Sequence, residues 1–271
     1  MMDPALLYKI RTDSIQTDLT AISSLCDGET ILEVGAGAGR IIKALANLKQ
    51  AAVIIGVESD GGLVDLARSD DATRNDPRIS IIHADFLDYS PPAQVSRVLF
   101  SFNVICEFLD PRSRIGALRH AGRCLTGDGR IIVFAPLHDF ESFSDQETEH
   151  RFSIRDFDGQ GWTTTIRCRR DHFNQVSHCV VTYVRDADGH AVESRYSNAL
   201  ITRNELLASY EAADLVLLKE YTSYDLGEGA AQECLIHVVS KRIGIRSMDP
   251  AQGEESFGSA RGDGLTYRFP A

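Results

Sequence analysis

The chain has 271 residues, 43% of them hydrophobic, and a formal net charge of -11. That length and apolar content suffice for one large buried core with room for an insertion, whereas the negative charge opposes a polyanionic partner such as nucleic acid or an anionic membrane surface. The N-terminus lacks a basic segment followed by an apolar core, and no uninterrupted apolar run approaches the roughly 20 residues needed to span a bilayer, so a soluble cytoplasmic protein with no membrane partner is expected.

Ile31-Leu32-Glu33-Val34 reads as a short apolar strand running into Gly35-Ala36-Gly37-Ala38-Gly39 and then into the apolar-rich stretch Ile41 to Leu45. Glycine allows positive φ and has no Cβ to hold off a ligand lying on the backbone, as a loop cradling a nucleoside requires. The dinucleotide fingerprint places its third glycine three residues after the second; Arg40 holds that position here, and Gly39 follows Gly37 by only two. Ala52 to Glu58 is a continuous apolar run ending in a carboxylate, the pattern of a second buried parallel strand whose terminal acid accepts from ribose hydroxyls. Glu58 follows Gly35 by 23 residues, close to the spacing of about 20 that a strand, helix and strand unit gives. Ile79 to Phe86 reads as a third strand ending in Asp85 and Phe86, a pair suited to the amino group and ring face of adenine.

The second half changes character. From about His150 to Ile201 the pattern is β-type, including Trp162 to Cys168 and Cys179 to Val184, with hairpin signals at Gly159-Gln160-Gly161 and Asp186-Ala187-Asp188-Gly189. Thr202-Arg203-Asn204-Glu205 forms a capping box that starts a helix. Leu215 to Tyr221 and Cys234 to Val239 supply two further strands. Residues 242–271 lack apolar periodicity and read as a mobile tail; the tripeptide Arg261-Gly262-Asp263 within it is too short to carry a function. The six cysteines show no paired metal-ligand spacing, and several lie in apolar surroundings, so neither a metal site nor a disulfide framework is expected.

Over most of residues 29–136 the chain resembles the class I S-adenosylmethionine-dependent methyltransferases. Glu33-Val34-Gly35-Ala36-Gly37-Ala38-Gly39 resembles the family's first motif, Glu58-Ser59-Asp60 its second strand, and His83-Ala84-Asp85-Phe86 its adenine-binding turn. Ser101 to Phe108 is similar to the fourth strand and the loop beside the methyl group, and Leu125 to Val133 to the turn and fifth strand. Thr126 and Asp128 depart from the usual turn residues. Cys106 and Glu107 stand where many relatives have histidines, so the active-site chemistry does not transfer.

The resemblance implies an α/β fold, a Rossmann-like seven-stranded methyltransferase sheet with an antiparallel β insertion before the last helix. It divides the chain into an N-terminal helical lid (1–28), a cofactor-binding core (29–146), the β insertion (147–201), the C-terminal part of the core (202–241) and the tail (242–271). S-adenosylmethionine is the implied cofactor. Glu33 would set its methionine end, Gly35 and Gly37 would pack against it, Glu58 with Ser59 would hold the ribose, and Asp85 with Phe86 would read adenine. The backbone at Phe102 and Asn103 would approach the methionine amino group. Tyr8 and Arg11 lie in a segment, Leu6 to Ile22, that many relatives fold over the cofactor, where Arg11 could pair with its carboxylate; a packing tyrosine and a surface arginine fit these two residues equally.

Such insertions occur in methyltransferases acting on small molecules, including sugar and amine N-methyltransferases and natural-product tailoring enzymes, so a small-molecule acceptor is expected. The insert carries Arg155, Arg167, Arg169, Arg170 and His172, which could receive a carboxylate or phosphate on the acceptor or form a solvated strand face. Methyl transfer from a sulfonium is an in-line displacement that needs alignment and exclusion of water. A hydroxyl, an ammonium or an acidic carbon also needs a base, for which His138, after the fifth strand, and Glu107, after the fourth, are the candidates. Competing readings are a protein or RNA methyltransferase, an NAD-dependent oxidoreductase, and a noncatalytic cofactor-binding or interaction protein. Edge strands of the insertion could pair between subunits in a homo-oligomer.

Overall fold

A computed structural model describes residues 3–48, 51–138, 147–227 and 234–242, and the structural statements below concern these. The remaining residues, which include Asp139 and 243–271 with Arg261-Gly262-Asp263, lie outside the described part.

Helices α1 (Pro4–Asp13) and α2 (Leu19–Leu25) come first. Asp3 starts α1: its side chain accepts from the Ala5 N–H at 2.9 Å, and Pro4, with no N–H to satisfy, takes the first helical position. The central sheet is built from β1 (Thr30–Val34), β2 (Val53–Glu58), β3 (Ile79–His83), β4 (Val95–Phe100), β5 (Leu125–Pro136), β10 (Leu215–Tyr221) and β11 (Cys234–Lys241). Its order is β10-β11-β5-β4-β1-β2-β3. The pairs from β3 through β5 are parallel, and β11 runs antiparallel between β5 and β10. Buried runs such as Ile54 to Val57 and Ile131 to Ala135 suit strands covered on both faces.

Helices α3 (Arg40–Ala46) and α4 (Gly61–Ser69) cover one face together with α2, where Ile22, Ile42, Leu45 and Val64 pack on Ile31 and Ile54. Helices α6 (Pro111–Cys124) and α7 (Arg203–Ala212) cover the other, where Leu118, Leu206 and Tyr210 meet Leu32, Phe100 and Val133. A short α5 (Asp71–Arg74) follows α4. Thr202 and Glu205 make the expected capping box on α7: the Thr202 hydroxyl accepts from the Glu205 N–H, and the Glu205 carboxylate accepts from the Thr202 N–H. Strand order reverses between β1 and β4, which opens a crevice outside their carboxyl ends, the usual ligand position in an open α/β sheet.

The insertion forms a second sheet of β6 (Glu147–Arg155), β7 (Gly161–Asp171), β8 (Val176–Arg185) and β9 (Ala191–Ala199), joined in sequence as antiparallel hairpins. Gly159 and Gly189, both at positive φ, occupy two of the turns. One face carries Trp162, Thr164 and Ile166 of β7 with Val181 and Tyr183 of β8, and Leu7 of α1 packs into it. The insertion's sheet thus rests on α1.

The structure corrects the expectation that the cysteines carry no disulfide: Cys168 and Cys179 are bonded. Eleven residues separate them in the chain, and β7–β8 pairing sets them opposite each other with Cα atoms 4.1 Å apart. Spacing alone carried no sign of this, because the register that unites them is set by the hairpin.

Candidate active site

The glycine loop between β1 and α3 forms the floor of the crevice. Gly35 has φ +68°, and a Cβ there would stand 2.7 Å from Val104 Cγ2, so only glycine fits. Gly37, at φ +54°, lies under the lid: the ring of Tyr8 stands 3.6 Å from where its Cβ would be. Glu58, at the end of β2, accepts from the Gly37 N–H at 2.8 Å and the Asp60 N–H at 2.9 Å, with the Ser59 hydroxyl at 3.5 Å. The strand-end acid and the glycine loop are therefore brought together as the sequence suggested.

These residues open onto a cleft of about 470 Å³ lined by Val34, Gly35, Glu58, Ser59, Ala84, Asp85, Phe86, Leu87, Val104, Glu107, Phe108, Leu109 and Asp110, among others, a size within the range of small-molecule sites. Four carboxylates and no basic side chain line it, so its field favours a cation such as a sulfonium. Asp85 accepts from the Leu87 N–H at 2.8 Å and starts a 3-10 turn, Phe86–Asp88. Phe86 lines the cleft but is only 5% exposed and packs edge-on against Phe100 and His120. Leu87 and Leu109, each 41% exposed, are the more exposed apolar side chains of the cleft.

Glu33 lies beneath the loop, 1% exposed. Ser101 donates to its Oε1 at 2.6 Å, while Oε2 is buried and unbonded. Burial is the main cause that pushes its carboxyl up to about 8, against the opposing pull of the Ser101 hydrogen bond and the charge of Arg40. A buried acceptor atom without a donor, beside a glycine cradle, suits the ammonium of a methionine arm, so the residues present fit the implied cofactor. Arg40, where a dinucleotide fold would have glycine, is bound at 2.7 and 2.6 Å to both oxygens of Asp18 and at 3.0 Å to the Ile15 carbonyl. It ties the lid to the start of α3 and stacks its guanidinium 5.3 Å from the Phe102 ring centroid. Phe102 and Asn103 follow β4 in the left-handed region, at φ +44° and +67°, a strained backbone of the kind that collects at ligand sites.

The segment after Asn103 carries Glu107. Its side chain reaches the cleft and solvent, yet the surrounding protein desolvates the carboxyl enough to raise it to about 7, and the negative charge of Glu58 adds to the effect. Neighbouring Cys106 is fully buried, and burial pushes its thiol up to about 12, so it stays protonated and unreactive. His138, two residues past β5, is half-buried and is not among the residues lining the cleft. Burial raises the Tyr8 phenol to about 12, against the lowering charge of Arg11, and the negative charges of Glu107 and Glu58 add to the rise.

The insert arginines do not gather at the cleft. Arg155, Arg167 and Arg169 project from the face opposite Trp162 and Thr164 and are exposed; Arg167 pairs with Glu149 at 2.7 Å, and Arg155 donates to the Gly159 carbonyl at 3.2 Å. His172 stands exposed in the turn after β7. Strand alternation sends these odd-numbered arginines outward, and the sequence did not say which face meets the lid. Ser101, Leu87 and Leu109 escaped sequence reading because only the register of β4 on β1 and the course of two loops bring them to the site.

Residues 31–129 match the methyltransferase domain family. Among curated relatives, an rRNA methyltransferase of Streptomyces thermotolerans is 43% identical over 65 residues, 24% of this chain and 20% of that protein. The chain thus aligns with only a fifth of this relative's length. Among solved structures, the CcbJ methyltransferase from Streptomyces caelestis is 18% identical with a TM-score of 0.72, over 84% of this chain and 98% of that one. CalS10 of Micromonospora echinaspora, an amino pentose methyltransferase involved in calicheamicin biosynthesis and solved with its S-adenosylmethionine, is 16% identical with a TM-score of 0.66, over 88% of this chain and 98% of that one. At these identities the structural likeness speaks for the fold alone. Residues 31–129 match the methyltransferase domain, and the chain that contains them has the fold of the S-adenosylmethionine-dependent methyltransferases.

Proposed function

We propose that this chain transfers the methyl group of S-adenosylmethionine to an amine nitrogen of a small-molecule acceptor, with Glu107 as the base. The observation that carries this reading is the cleft beside the glycine loop, whose charged side chains are all acidic and include Glu107, a carboxyl that desolvation by the surrounding protein raises to about 7. A group with that pKa is half ionised near neutrality and suits removal of a proton from an alkylammonium before its lone pair attacks. The bond that forms is nitrogen to methyl carbon, the bond that breaks is methyl carbon to sulfur, and the proton passes to the carboxylate. Glu58 and Asp85 hold the nucleoside, Glu33 receives the methionine ammonium, and Tyr8 closes the lid over Gly37. CalS10, an amino pentose methyltransferase of the same fold that aligns over 88% of this chain, supports the amine class. His138 retains a place only as an acceptor contact.

Calorimetric titration of S-adenosylmethionine, S-adenosylhomocysteine and NAD into wild type and Glu58→Ala tests the cofactor. The first two are expected to bind and to weaken at least tenfold in the variant, in line with loss of hydrogen bonds by a charged group. Binding of NAD alone would sink the reading. Amino sugars and simple amines then test the acceptor, with ribosomal RNA as the competing arm that the curated relative's name suggests. With an active amine, the rate rises with pH through about 7 as the Glu107 carboxylate forms, and Glu107→Gln loses that limb. Methylation of RNA and of no amine would overturn the proposal.

A further inference from the structure

Arg40 opens α3 directly after the glycine loop, and its guanidinium joins two segments that are distant in the chain. On one side it meets the connection between α1 and α2, where it donates to both oxygens of Asp18 and to the Ile15 carbonyl. This pair is nearly closed to solvent, with the Arg40 side chain 10% and the Asp18 side chain 4% exposed. On the other side it lies over the Phe102 ring, at 5.3 Å from the centroid, within cation–π range. Phe102 is 39% exposed, so burial alone does not fix its ring. The left-handed backbone at Phe102 and Asn103 is flanked by two further grips: the Ser101 hydroxyl donates to Glu33 Oε1, and the Val104 side chain crowds Gly35. The charge of Arg40 also reaches the Glu33 carboxyl, where burial raises the pKa and the Ser101 hydrogen bond and Arg40 oppose the rise.

We propose that Arg40 is a positioning residue for the amino-acid arm of the cofactor: it locks the α1–α2 connection to the Phe102 turn, which holds Ser101 and Glu33 in place for that arm. The guanidinium is engaged by Asp18, Ile15 and the Phe102 ring, so it acts through the turn and not as a ligand. A strained turn persists only where its surroundings hold it. The planar guanidinium can pair in a fork with a carboxylate and present its face to a ring at once, which a lysine ammonium cannot do. Release of the ring would let the turn relax and draw Ser101 away from Glu33. Glu58 and Asp85, assigned to the nucleoside, stand at the ends of other strands, so the effect is confined to the arm. By reciprocity, binding of the arm steadies the α1–α2 connection. The inference rests on the cofactor reading above and adds to it the residue that prepares one end of the site.

A double-mutant cycle tests the link. S-adenosylhomocysteine and 5′-methylthioadenosine, which lacks the amino-acid arm, are titrated calorimetrically into wild type, Arg40→Lys, Phe102→Leu and the double variant, each checked for an intact thermal transition. S-adenosylhomocysteine is expected to weaken about tenfold in each single variant, and by no more than that in the double variant, because either change breaks the same link. Methylthioadenosine binds all four alike. Losses that add in the double variant, unchanged S-adenosylhomocysteine affinity in either single variant, or equal weakening of both ligands would each overturn the proposal. Disturbing a nearly buried ion pair can unfold a protein. If Arg40→Lys does not fold, Phe102→Leu and Phe102→Tyr decide: the tyrosine, which keeps a ring face, should retain wild-type affinity where the leucine loses it, and equal affinity of the two overturns the link. If wild type binds neither S-adenosylhomocysteine nor S-adenosylmethionine, the cofactor reading falls and the proposal with it, an outcome distinct from failure of the Arg40 link alone.

Discussion

The Glu33 carboxyl is buried with one oxygen unbonded and is raised to about 8, against an ordinary value of 4.5. Between those values the folded chain keeps a proton that the unfolded chain has lost, so this group's contribution to stability falls as pH rises from about 4.5 to about 8. An ammonium at Oε2 favours the carboxylate, so cofactor binding near neutral pH must release that proton. S-adenosylhomocysteine titrated in phosphate and in Tris should therefore show different apparent enthalpies, separated by nearly the difference in buffer ionisation; equal values would mean Glu33 does not ionise. Glu33→Gln should melt higher than wild type at about pH 8.5, by about 2–4 °C per kcal/mol of relieved charge burial, while binding S-adenosylhomocysteine at least tenfold more weakly. Much of this site was legible in the chain because acids at strand ends stand out against apolar runs at a fixed offset: Glu33 is next to last in its strand, Glu58 ends the next, and Asp85 follows the third. Ser101 and Leu87 carry no such mark, since their roles depend on which strands become neighbours. An aromatic after an acid looks the same in the sequence whether its ring faces a ligand or the core, and Phe86 lines the cleft while packing edge-on against Phe100.

At the level of elements, the same limit appears in the roof. The β-rich composition and turn signals announced an antiparallel insertion, and two of its three hairpins form where glycines stand, while the β7–β8 turn has none. Trp162, Ile166 and Cys168 on the even positions of β7 contrast with Arg167 and Arg169 on the odd ones, but what the apolar face packs against was not readable, because Leu7 comes to it from a distant helix. The disulfide has the same origin, as a product of register. Its removal should loosen the hairpin more than the molecule: a bridge closing a loop this short contributes about 3 kcal/mol in the chain-entropy account. Cys168→Ser with Cys179→Ser should leave β1–β5 amides as protected as before and speed hydrogen exchange in β7 and β8. Uniform loss of protection across both sheets would show that the roof and the core unfold as one, and that the bridge serves the whole.

Whole-molecule behaviour turns on α1, because all three parts of the protein meet there. Leu7 enters the roof, Tyr8 covers the glycine loop, and Lys9 and Asp13 join Lys43 of α3 and Asp70 in a cluster of ion pairs, with Lys43 to Asp70 at 3.0 Å and Lys9 to Asp70 at 3.6 Å. The single tryptophan reports on this junction. Trp162 is fully buried beside Leu7 and donates from Nε1 to Asp156 at 2.9 Å. Leu7→Ala removes apolar volume from between lid and roof without touching the cleft, at a cost of about 2–5 kcal/mol for a buried leucine. If lid, roof and core act together, the variant should show red-shifted Trp162 emission, readier quenching by acrylamide and weaker S-adenosylhomocysteine binding, and saturating ligand should restore part of the wild-type spectrum, because a ligand that binds only the closed form draws the population back to it. A lower melting temperature with unchanged emission and affinity would mean that α1 is a strut of the fold and that cofactor binding needs no closure of the roof. The two outcomes assign different origins to the binding energy: in the first, part of it is spent on docking the insertion onto the lid, so the acceptor chamber is completed only on a protein already loaded with its methyl donor.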